Sequence, residues 1–441
     1  MMEREAGKSS PVLRVEPGEG SLTPRWCDIF EPLLHDTHNI KDYVGFDRSS
    51  DGRIKMRSTG AHNFPAIDRV IYGRPAAEAI NEEAERLKAT RVFLIVSRTL
   101  NTKTDEIEKI RHTLGDKHAA TFDGIAQHTT RKQAAEVALH AKEAHADLVV
   151  AVGGGSAVDL AKIVIMAMEH DIRDEAGFDP FPMGPGVSHS PFRAPAVRQI
   201  AVPSTLNGGE YNAAALVTDE RNKLKQIFFH PHMMPVAVIL DPALTLHTPS
   251  NLWMGSGTRS MDHGIEALCS PAGTPLADEV VLAGIRELRE GMLRTLQQPD
   301  DFEARRLCQY GSWLASFGLQ ARVPMGASHG IGHVLGGTFG VPHYYCTPVI
   351  MPSLLRYNKP FTDDAQKRLA AALGAPGGDA ADAFAEFVRQ LGLPGRLAEV
   401  GIGEDKFGKI SEIAINHRFV KANPRPFNDQ AEIVDLLRMA A

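Results

Sequence analysis

Three histidines fall within fifteen residues near the middle of the C-terminal half of the chain, at His329, His333 and His343. His329 and His333 are four residues apart, so on a helix their side chains lie on one face. The glycine pair at 336–337 and Pro342 predict that this helix ends and that the chain brings His343 back toward the same face. Converging imidazoles hold a divalent metal, relay a proton, or do both. The alternative for each one alone is a helix-capping or core histidine, but for the cluster we favour the functional interpretation.

A second chemical signal is the run Gly153-Gly154-Gly155-Ser156, which follows the apolar segment 147–152 and opens a predicted helix. Glycines at a strand-to-helix turn let backbone amides approach a phosphate, and the helix N-terminus supplies positive potential. The run matches neither GxGxxG nor the P-loop pattern. A tight turn whose glycines only permit close packing is the alternative. The strand before and the helix after it favour a phosphate-binding loop.

Composition and charge exclude several classes of protein. The chain has 441 residues, of which 43% are hydrophobic and 23% charged, and its formal net charge is −6. This length predicts two or three domains, and the acidic balance argues against a nucleic-acid or membrane-surface partner. No apolar run is long enough to span a membrane. The four cysteines form no CxxC pair and the N-terminus carries no signal-peptide pattern, so we expect a cytoplasmic protein without disulfides.

Strand and helix signals alternate from residue 66 onward. Apolar runs such as 91–96 and 147–152 lack polar alternation, which is typical of strands buried on both faces of a parallel sheet. Residues 171–197 are rich in Pro and Gly and indicate a long loop or a boundary, and beyond residue 250 helical periods dominate. The predicted fold is an α/β N-terminal domain with a Rossmann-like parallel sheet and an all-helical C-terminal domain. The predicted boundaries are an N-terminal extension at 1–40, an α/β dinucleotide-binding domain at 41–197 and a mainly helical catalytic domain at 198–441.

Together these motifs resemble the iron-containing (group III) alcohol dehydrogenase family. The resemblance rests on GGGSxxDxAK, which ends at Lys162, and on the His-x3-His-x9-His cluster, and it covers about residues 60–440. Further matching segments are 202–205, 241–245, 263–268 and 423–426. Within the family, SHGIGHVLGGTFGVPH at 328–343 is most similar to maleylacetate reductases. Those enzymes reduce the carbon–carbon double bond of maleylacetate to give 3-oxoadipate in the degradation of aromatic compounds.

The resemblance implies a cofactor, a metal and the residues that bind them. NADH or NADPH would place its pyrophosphate on the glycine loop, and His333 would approach the nicotinamide as a candidate proton relay. The metal, iron or zinc, would act as a Lewis acid on a substrate oxygen during hydride transfer. The implied metal ligands are His263, His329 and His343. The implied cofactor-binding residues are Gly153, Gly154, Gly155, Ser156, Asp159, Lys162, Ser204 and Thr205.

One departure from the family pattern concerns the metal. Arg259 stands four residues before His263, where the family has an Asp that ligates the metal. An arginine cannot ligate a metal, and its charge repels one. Asp262 is a poor substitute, because adjacent helical residues point about 100° apart. Maleylacetate reductases also lack this Asp, so Arg259 is suited to clamp a substrate carboxylate, with a surface ion pair as the alternative. The predicted catalytic residues are therefore His263, His329, His333, His343 and Arg259.

A second departure concerns the nucleotide. Metal-dependent relatives end the strand at 91–96 with an Asp that binds the adenosine ribose, whereas this chain has Arg98 after Ser97. A cation at this position attracts a 2′-phosphate, so NADPH joins NADH as a candidate cofactor. The alternative is a solvated arginine in a loop.

We therefore predict an NAD(P)H-dependent oxidoreductase with its site between the two domains, acting on a small molecule. Maleylacetate reduction is preferred, and a metal-dependent alcohol dehydrogenase acting on a small alcohol or aldehyde is the alternative. The resemblance suggests a homodimer or larger assembly. Dehydroquinate synthase and glycerol-1-phosphate dehydrogenase share the glycine loop, but their phosphate-bearing substrates call for a basic cluster that the sequence lacks. A non-catalytic nucleotide-binding protein would leave the histidine cluster without a purpose.

Overall fold

The computed structural model describes residues 61–126, 129–183, 192–222 and 224–441. The predicted N-terminal extension at 1–40 lies outside the described residues. The strands are β1 (Arg69–Tyr72), β2 (Val92–Val96), β3 (His118–Phe122), β4 (Leu148–Gly153), β5 (Arg198–Pro203), β6 (Ala214–Asp219), β7 (Leu224–Phe229) and β8 (Ala237–Leu240).

Six of these strands form one parallel sheet in the order β1-β8-β5-β4-β2-β3, and β6 and β7 pair as an antiparallel hairpin. The central strands β2 and β4 consist of VFLIV and LVVAVG, and every residue of both is buried. Their register pairs Val92 with Leu148 and Val96 with Val152. Strands with this composition fit a sheet that is covered on both faces, which confirms the predicted α/β class.

Helices cover both faces of the sheet. The helices α4 and α5 pack on one face, and α1 and α3 pack on the other, each around its own cluster of buried apolar side chains. Among the described residues before 250, the α-helices are α1 (Ala76–Arg86), α2 (Arg98–Lys103), α3 (Glu106–Leu114), α4 (Arg131–Glu143), α5 (Gly155–Glu169) and α6 (Pro242–Thr245).

Residues 250–441 form helices and no strand, as the sequence predicts. The first of these helices, α7, is buried along almost its whole length, because several of the helices that follow pack against it. None of the helices in the described part of the chain is long and apolar enough to cross a membrane. The helices are α7 (Ser250–Cys269), α8 (Pro275–Gln297), α9 (Phe302–Ala315), α10 (Phe317–Gln320), α11 (Ala327–Phe339), α12 (His343–Ala372), α13 (Ala380–Gln390), α14 (Phe407–Ala414), α15 (Arg418–Lys421) and α16 (Gln430–Met439).

The predicted domain boundary at residue 197 falls inside the sheet-containing region. Both β5 and β8 follow that residue and pair within the six-stranded sheet. The Pro- and Gly-rich segment at 171–197 therefore lies, along the sequence, between α5 and a strand of the same sheet. We propose that the boundary between the two regions lies between β8 and α7 instead.

Candidate active site

The glycine loop lies at the carboxyl edge of the sheet. The strand β4 ends at Gly153, Gly154 is the N-cap of α5, and no side chain caps this helix. The N-terminus of α5 thus gives this edge of the sheet a positive potential that favours an anion. A Cβ built on Gly153 would lie 3.3 Å from Cβ of Ser97, and one on Gly154 would lie 3.5 Å from Cγ2 of Thr205. The loop therefore presents bare backbone in a close-packed cradle, which fits a nucleotide pyrophosphate.

The neighbouring strand brings Ser204 and Thr205 to the same edge. Because β4 and β5 are parallel, their carboxyl ends meet, and the Ser204 amide donates to the carbonyl oxygen of Gly153 over 2.9 Å. Both side chains are buried. The structure thus places Ser204 and Thr205 beside the loop that the resemblance assigns to the cofactor.

The Lys162 side chain is fully buried and forms its hydrogen bonds with the protein itself. Its Nζ donates to the carbonyl oxygens of Gly209 and Ala214, at 2.7 and 2.9 Å, and lies 3.4 Å from Oδ1 of Asp159. Burial lowers the pKa of Lys162 and raises the pKa of Asp159. We therefore expect Lys162 to act on a cofactor indirectly, by holding the 209–214 segment beside α5.

Glu210, which lies in the 209–214 segment, makes the stability of the fold depend on pH. Burial raises the pKa of Glu210 from 4.5 to about 7, against the effect of Lys162. Between these two values the folded chain keeps a proton that the unfolded chain has lost, so this contribution to stability is complete below pH 4.5 and disappears as the pH rises through 7. We expect Glu210→Gln to remove this fall in the unfolding free energy, measured by urea denaturation from pH 5 to 8. An equal fall in wild type and variant would contradict the prediction.

The helix α11 carries His329 and His333, as predicted, but it does not end at the glycine pair. It continues through 336–337 to Phe339, and Gly340, with φ of 71°, terminates it. The prediction that the glycine pair breaks the helix is wrong, because two glycines inside a helix weaken it without forcing a turn, whereas a left-handed residue ends it. The next helix, α12, begins at His343, and the ring centroids of His333 and His343 are 6.0 Å apart.

The fourth predicted histidine, His263, reaches the cluster from α7. Its ring stacks on His329 with centroids 4.9 Å apart. The loop after β5 approaches it closely, since a Cβ on Gly208, which has φ of 71°, would lie 3.0 Å from Nδ1 of His263. The site thus lies where the loops at the carboxyl edge of the sheet meet α7, α11 and α12.

Two buried carboxylates hold His329. Its Nδ1 lies 2.6 Å from Oε2 of Glu266 and 3.5 Å from Oδ1 of Asp262. Glu266 also accepts hydrogen bonds from the backbone amides of Gly326 and Ser328, both at 2.7 Å. Burial alone would lower the pKa of His329, but the two carboxylates outweigh it and the net shift is upward. Within the described residues, Nε2 of His329 has no hydrogen-bond partner.

Arg259 forms a buried ion pair with Asp262. Its Nη1 donates to Oδ2 of Asp262 over 2.7 Å and lies 3.3 Å from Oγ1 of Thr347, and both charged side chains are almost fully buried. The alternative of a surface ion pair is therefore wrong. Burial acts to raise the pKa of the Asp262 carboxyl, but His329 and Arg259 outweigh it and hold this pKa well below its usual range.

The positive charge of Arg259 also affects the pKa values of the other predicted histidines. Burial is the main reason that the pKa values of His263, His333 and His343 lie well below the usual range, and Arg259 lowers all three further. All three imidazoles are therefore neutral near pH 7, and the guanidinium of Arg259 supplies a positive charge close to them.

This arrangement does not fit a metal held by His263, His329 and His343. The described groups whose donor atoms lie within 4.8 Å of one another are instead Asp262, Glu266 and His329. Nδ1 of His329 already contacts both carboxylates, Glu266 at 2.6 Å and Asp262 at 3.5 Å, and Arg259 neutralises Asp262. A guanidinium that acts on every predicted ligand also opposes a divalent cation.

Sequence reasoning missed two groups at this site. His417 lies 3.4 Å from His333, through Nε2 and Nδ1, and Phe419 packs against both rings. Because 84 residues separate His417 from His333, no local spacing pattern could have linked them. The pairing of Arg259 with Asp262 could have been found, since residues three apart share a helix face.

Comparison with known proteins shows which family the chain is similar to. Residues 68–242 match the family model described as iron-containing alcohol dehydrogenase, and residues 254–441 match the Fe-containing alcohol dehydrogenase family, C-terminal. A maleylacetate reductase of Pseudomonas knackmussii is 30% identical over 372 residues, which cover 84% of this chain and 95% of that protein. A dehydrogenase of Gibberella moniliformis is 29% identical over 413 residues, covering 84% and 96%. The crystal structure of a maleylacetate reductase from Agrobacterium tumefaciens is similar with a TM-score of 0.74 and 27% identity, covering 87% and 98%.

Proposed function

We propose that this chain, which belongs to the iron-containing alcohol dehydrogenase family, uses NADH or NADPH to reduce maleylacetate or a related unsaturated oxo-dicarboxylate. The chain is an NAD(P)-dependent oxidoreductase. The observation that carries the choice of substrate is the buried guanidinium of Arg259 among the site histidines. The identity of about 30% to maleylacetate reductases supports it.

Two cations near the site support an anionic substrate, because the buried carboxylates Asp262 and Glu266 are already paired with Arg259 and His329. The hydrogen bonds that the described residues make with Arg259 all use Nη1, so Nε and Nη2 are free to bind a carboxylate. Lys225, on β7, is a second cation whose charge lowers the pKa of His343, behind burial and Arg259. Together Arg259 and Lys225 support a substrate that carries more than one carboxylate.

The chemistry of this reduction requires a hydrogen-bond donor at the ketone oxygen. The nicotinamide, when bound, supplies hydride from C4. Addition of hydride to the alkene carbon farther from the ketone moves an electron pair onto the ketone oxygen, and a proton from solvent then completes the reduction at the carbon beside the ketone. An N–H of His333 or Arg259 that is fixed in a buried site stabilises this negative oxygen without reorganisation.

A metal-dependent alcohol dehydrogenase acting on a small alcohol or aldehyde is the second candidate. One observation favours it: Nδ1 of His329 is held by Glu266, and Nε2 has no hydrogen-bond partner among the described residues. A metal-ligating histidine typically shows this arrangement.

The two candidates are separated by one experiment. Protein purified without chelator is assayed for NADH and NADPH oxidation with maleylacetate, other oxo-acids and small aldehydes, before and after chelation, and its iron and zinc are measured. We expect turnover of maleylacetate that survives chelation. Stoichiometric metal, lost together with activity on aldehydes, would establish the second candidate instead.

The nucleotide preference is tested at Arg98. This residue begins α2 at the carboxyl end of β2, is 70% exposed and lies 3.8 Å from its partner Asp123. Because this ion pair is long and exposed, the Arg98 guanidinium can bind a 2′-phosphate instead. We expect Arg98→Asp to raise KM for NADPH about tenfold and to leave KM for NADH nearly unchanged. Asp123→Asn is the matched control and should lower KM for NADPH slightly, whereas equal effects on both cofactors would remove Arg98 from the nucleotide site.

The assembly and the pathway are part of the same proposal. The resemblance to the family suggests a homodimer or larger, which size-exclusion chromatography with light scattering tests.

A maleylacetate reductase would act late in the degradation of aromatic compounds. Growth of a deletion strain on an aromatic carbon source tests that placement.

A further inference from the structure

His417 contacts His333 from a separate part of the chain. Nε2 of His417 lies 3.4 Å from Nδ1 of His333, and Nδ1 of His417 accepts a hydrogen bond from the Phe419 amide over 3.2 Å. This second bond makes His417 the N-cap of α15. Both nitrogens of the His417 ring are therefore engaged, one by the backbone and one by the active-site histidine.

The backbone bond determines which nitrogen of each ring carries a proton. An amide N–H only donates, so Nδ1 of His417 is unprotonated and the proton of the neutral ring sits on Nε2. That N–H points to Nδ1 of His333, which must then accept. The proton of neutral His333 is consequently on Nε2, the nitrogen that His417 does not contact.

The packing of α11 against α15 makes this contact possible. A Cβ on Gly330 would lie 2.6 Å from Cγ2 of Val420 and 3.2 Å from Nδ1 of His417. Any larger residue at 330, one turn before His333, would push the turn at 417–420 away from α11. The glycine thus allows the close approach by which His417 reaches His333.

We propose that His417 is a positioning residue that fixes His333 as a neutral imidazole with its proton on Nε2, ready to donate to a substrate oxygen. The role of His333 toward substrate rests on the proposed function, but the tautomer does not. The charged and titratable groups around His333 act in the same direction: burial comes first, and His343, Arg259, His417 and His329 each lower its pKa further. Because the backbone occupies Nδ1 of His417, protons cannot pass through that ring, so His333 acts as a donor and not as one step of a histidine relay.

The direct test is NMR of the full-length protein labelled with ¹⁵N-histidine. Long-range ¹H–¹⁵N correlations distinguish the two tautomers, and the spectrum of His333→Asn identifies the His333 signals. We expect the Nε2–H tautomer for His333 at pH 7 in the wild type. The Nδ1–H tautomer, or an imidazolium, would overturn the proposal whatever the substrate is.

Two substitutions at 417 separate positioning from capping. His417→Asn keeps an N-cap for the Phe419 amide but is too short to reach His333, whereas His417→Gln is long enough to present an amide N–H to Nδ1 of His333. We expect His333 to populate both tautomers in His417→Asn and to titrate at a higher pH there than in the wild type. In His417→Gln we expect the wild-type spectrum of His333. Thermal unfolding shows whether both variants are folded.

The kinetic arm uses whichever substrate the oxo-acid and aldehyde panel identifies. We expect His417→Asn to lower kcat roughly tenfold with little change in KM, and His417→Gln to recover most of it. Equal kcat in wild type and His417→Asn would overturn the positioning role. Failure of maleylacetate as a substrate would instead reject the proposed function and leave the NMR result standing.

Discussion

Replacing Arg259 with methionine is expected to destabilise the fold by about 3–5 kcal/mol and to abolish most reductase activity. Methionine fills similar space but leaves the Asp262 carboxylate buried without its cation, 2.7 Å from the nitrogen that is lost. Adding Asp262→Asn removes the stranded charge, so the double variant should recover most of the stability. Urea denaturation of the wild type, both single variants and the double variant measures the coupling between the two residues.

Activity in the double variant decides what Arg259 does. If its guanidinium binds a substrate carboxylate, kcat/KM for maleylacetate should remain lower by a factor of about 100 or more although the fold is restored. Asp262→Asn alone is the matched control, since it keeps Arg259 and its contact with Thr347. Recovery of both stability and activity in the double variant would show that Arg259 has only a structural role.

His333→Asn is expected to lower kcat by a factor of about 100 to 1,000, with a much smaller change in KM. Asparagine is neutral and polar, but it is shorter than histidine and cannot place an N–H where Nε2 of His333 lies. The interaction that it removes gains strength as negative charge develops on the substrate oxygen, so the loss should fall on kcat.

The comparison for this variant is His112→Asn, at an exposed position on α3. It should leave both kinetic constants unchanged, which controls for the loss of a histidine as such. A rise in KM with unchanged kcat for His333→Asn would mean that His333 only binds substrate, and the donor role would be rejected.

Much of the scaffold could be predicted because its signals are local. The apolar runs at 91–96 and 147–152 predict buried parallel strands, and the glycines at 153–155 follow one of them directly. The four-residue spacing of His329 and His333 predicts a shared helix face, and both residues lie on α11. In each case the spacing of residues in the sequence matches the geometry of the strand or helix that it predicts.

The rest depended on contacts between distant parts of the chain. Nothing near Lys162 in the sequence indicates that its ammonium group holds the backbone at Gly209 and Ala214. The contact of His417 with His333 depends on the packing of two helices, and the course of α11 through its glycine pair depends on where a left-handed residue ends it. Such outcomes follow from tertiary packing, which a single sequence does not display.

The Arg259–Asp262 pair also makes the two positions unequal when only one of them is changed. Loss of Asp262 takes from Arg259 the carboxylate that its Nη1 contacts over 2.7 Å. Loss of Arg259 still leaves Asp262 the Ser328 and Thr347 hydroxyls, which lie 2.8 and 2.6 Å from its Oδ2, and His329, which lies 3.5 Å from its Oδ1. A change at position 259 is therefore better accommodated by the remaining contacts than a change at position 262.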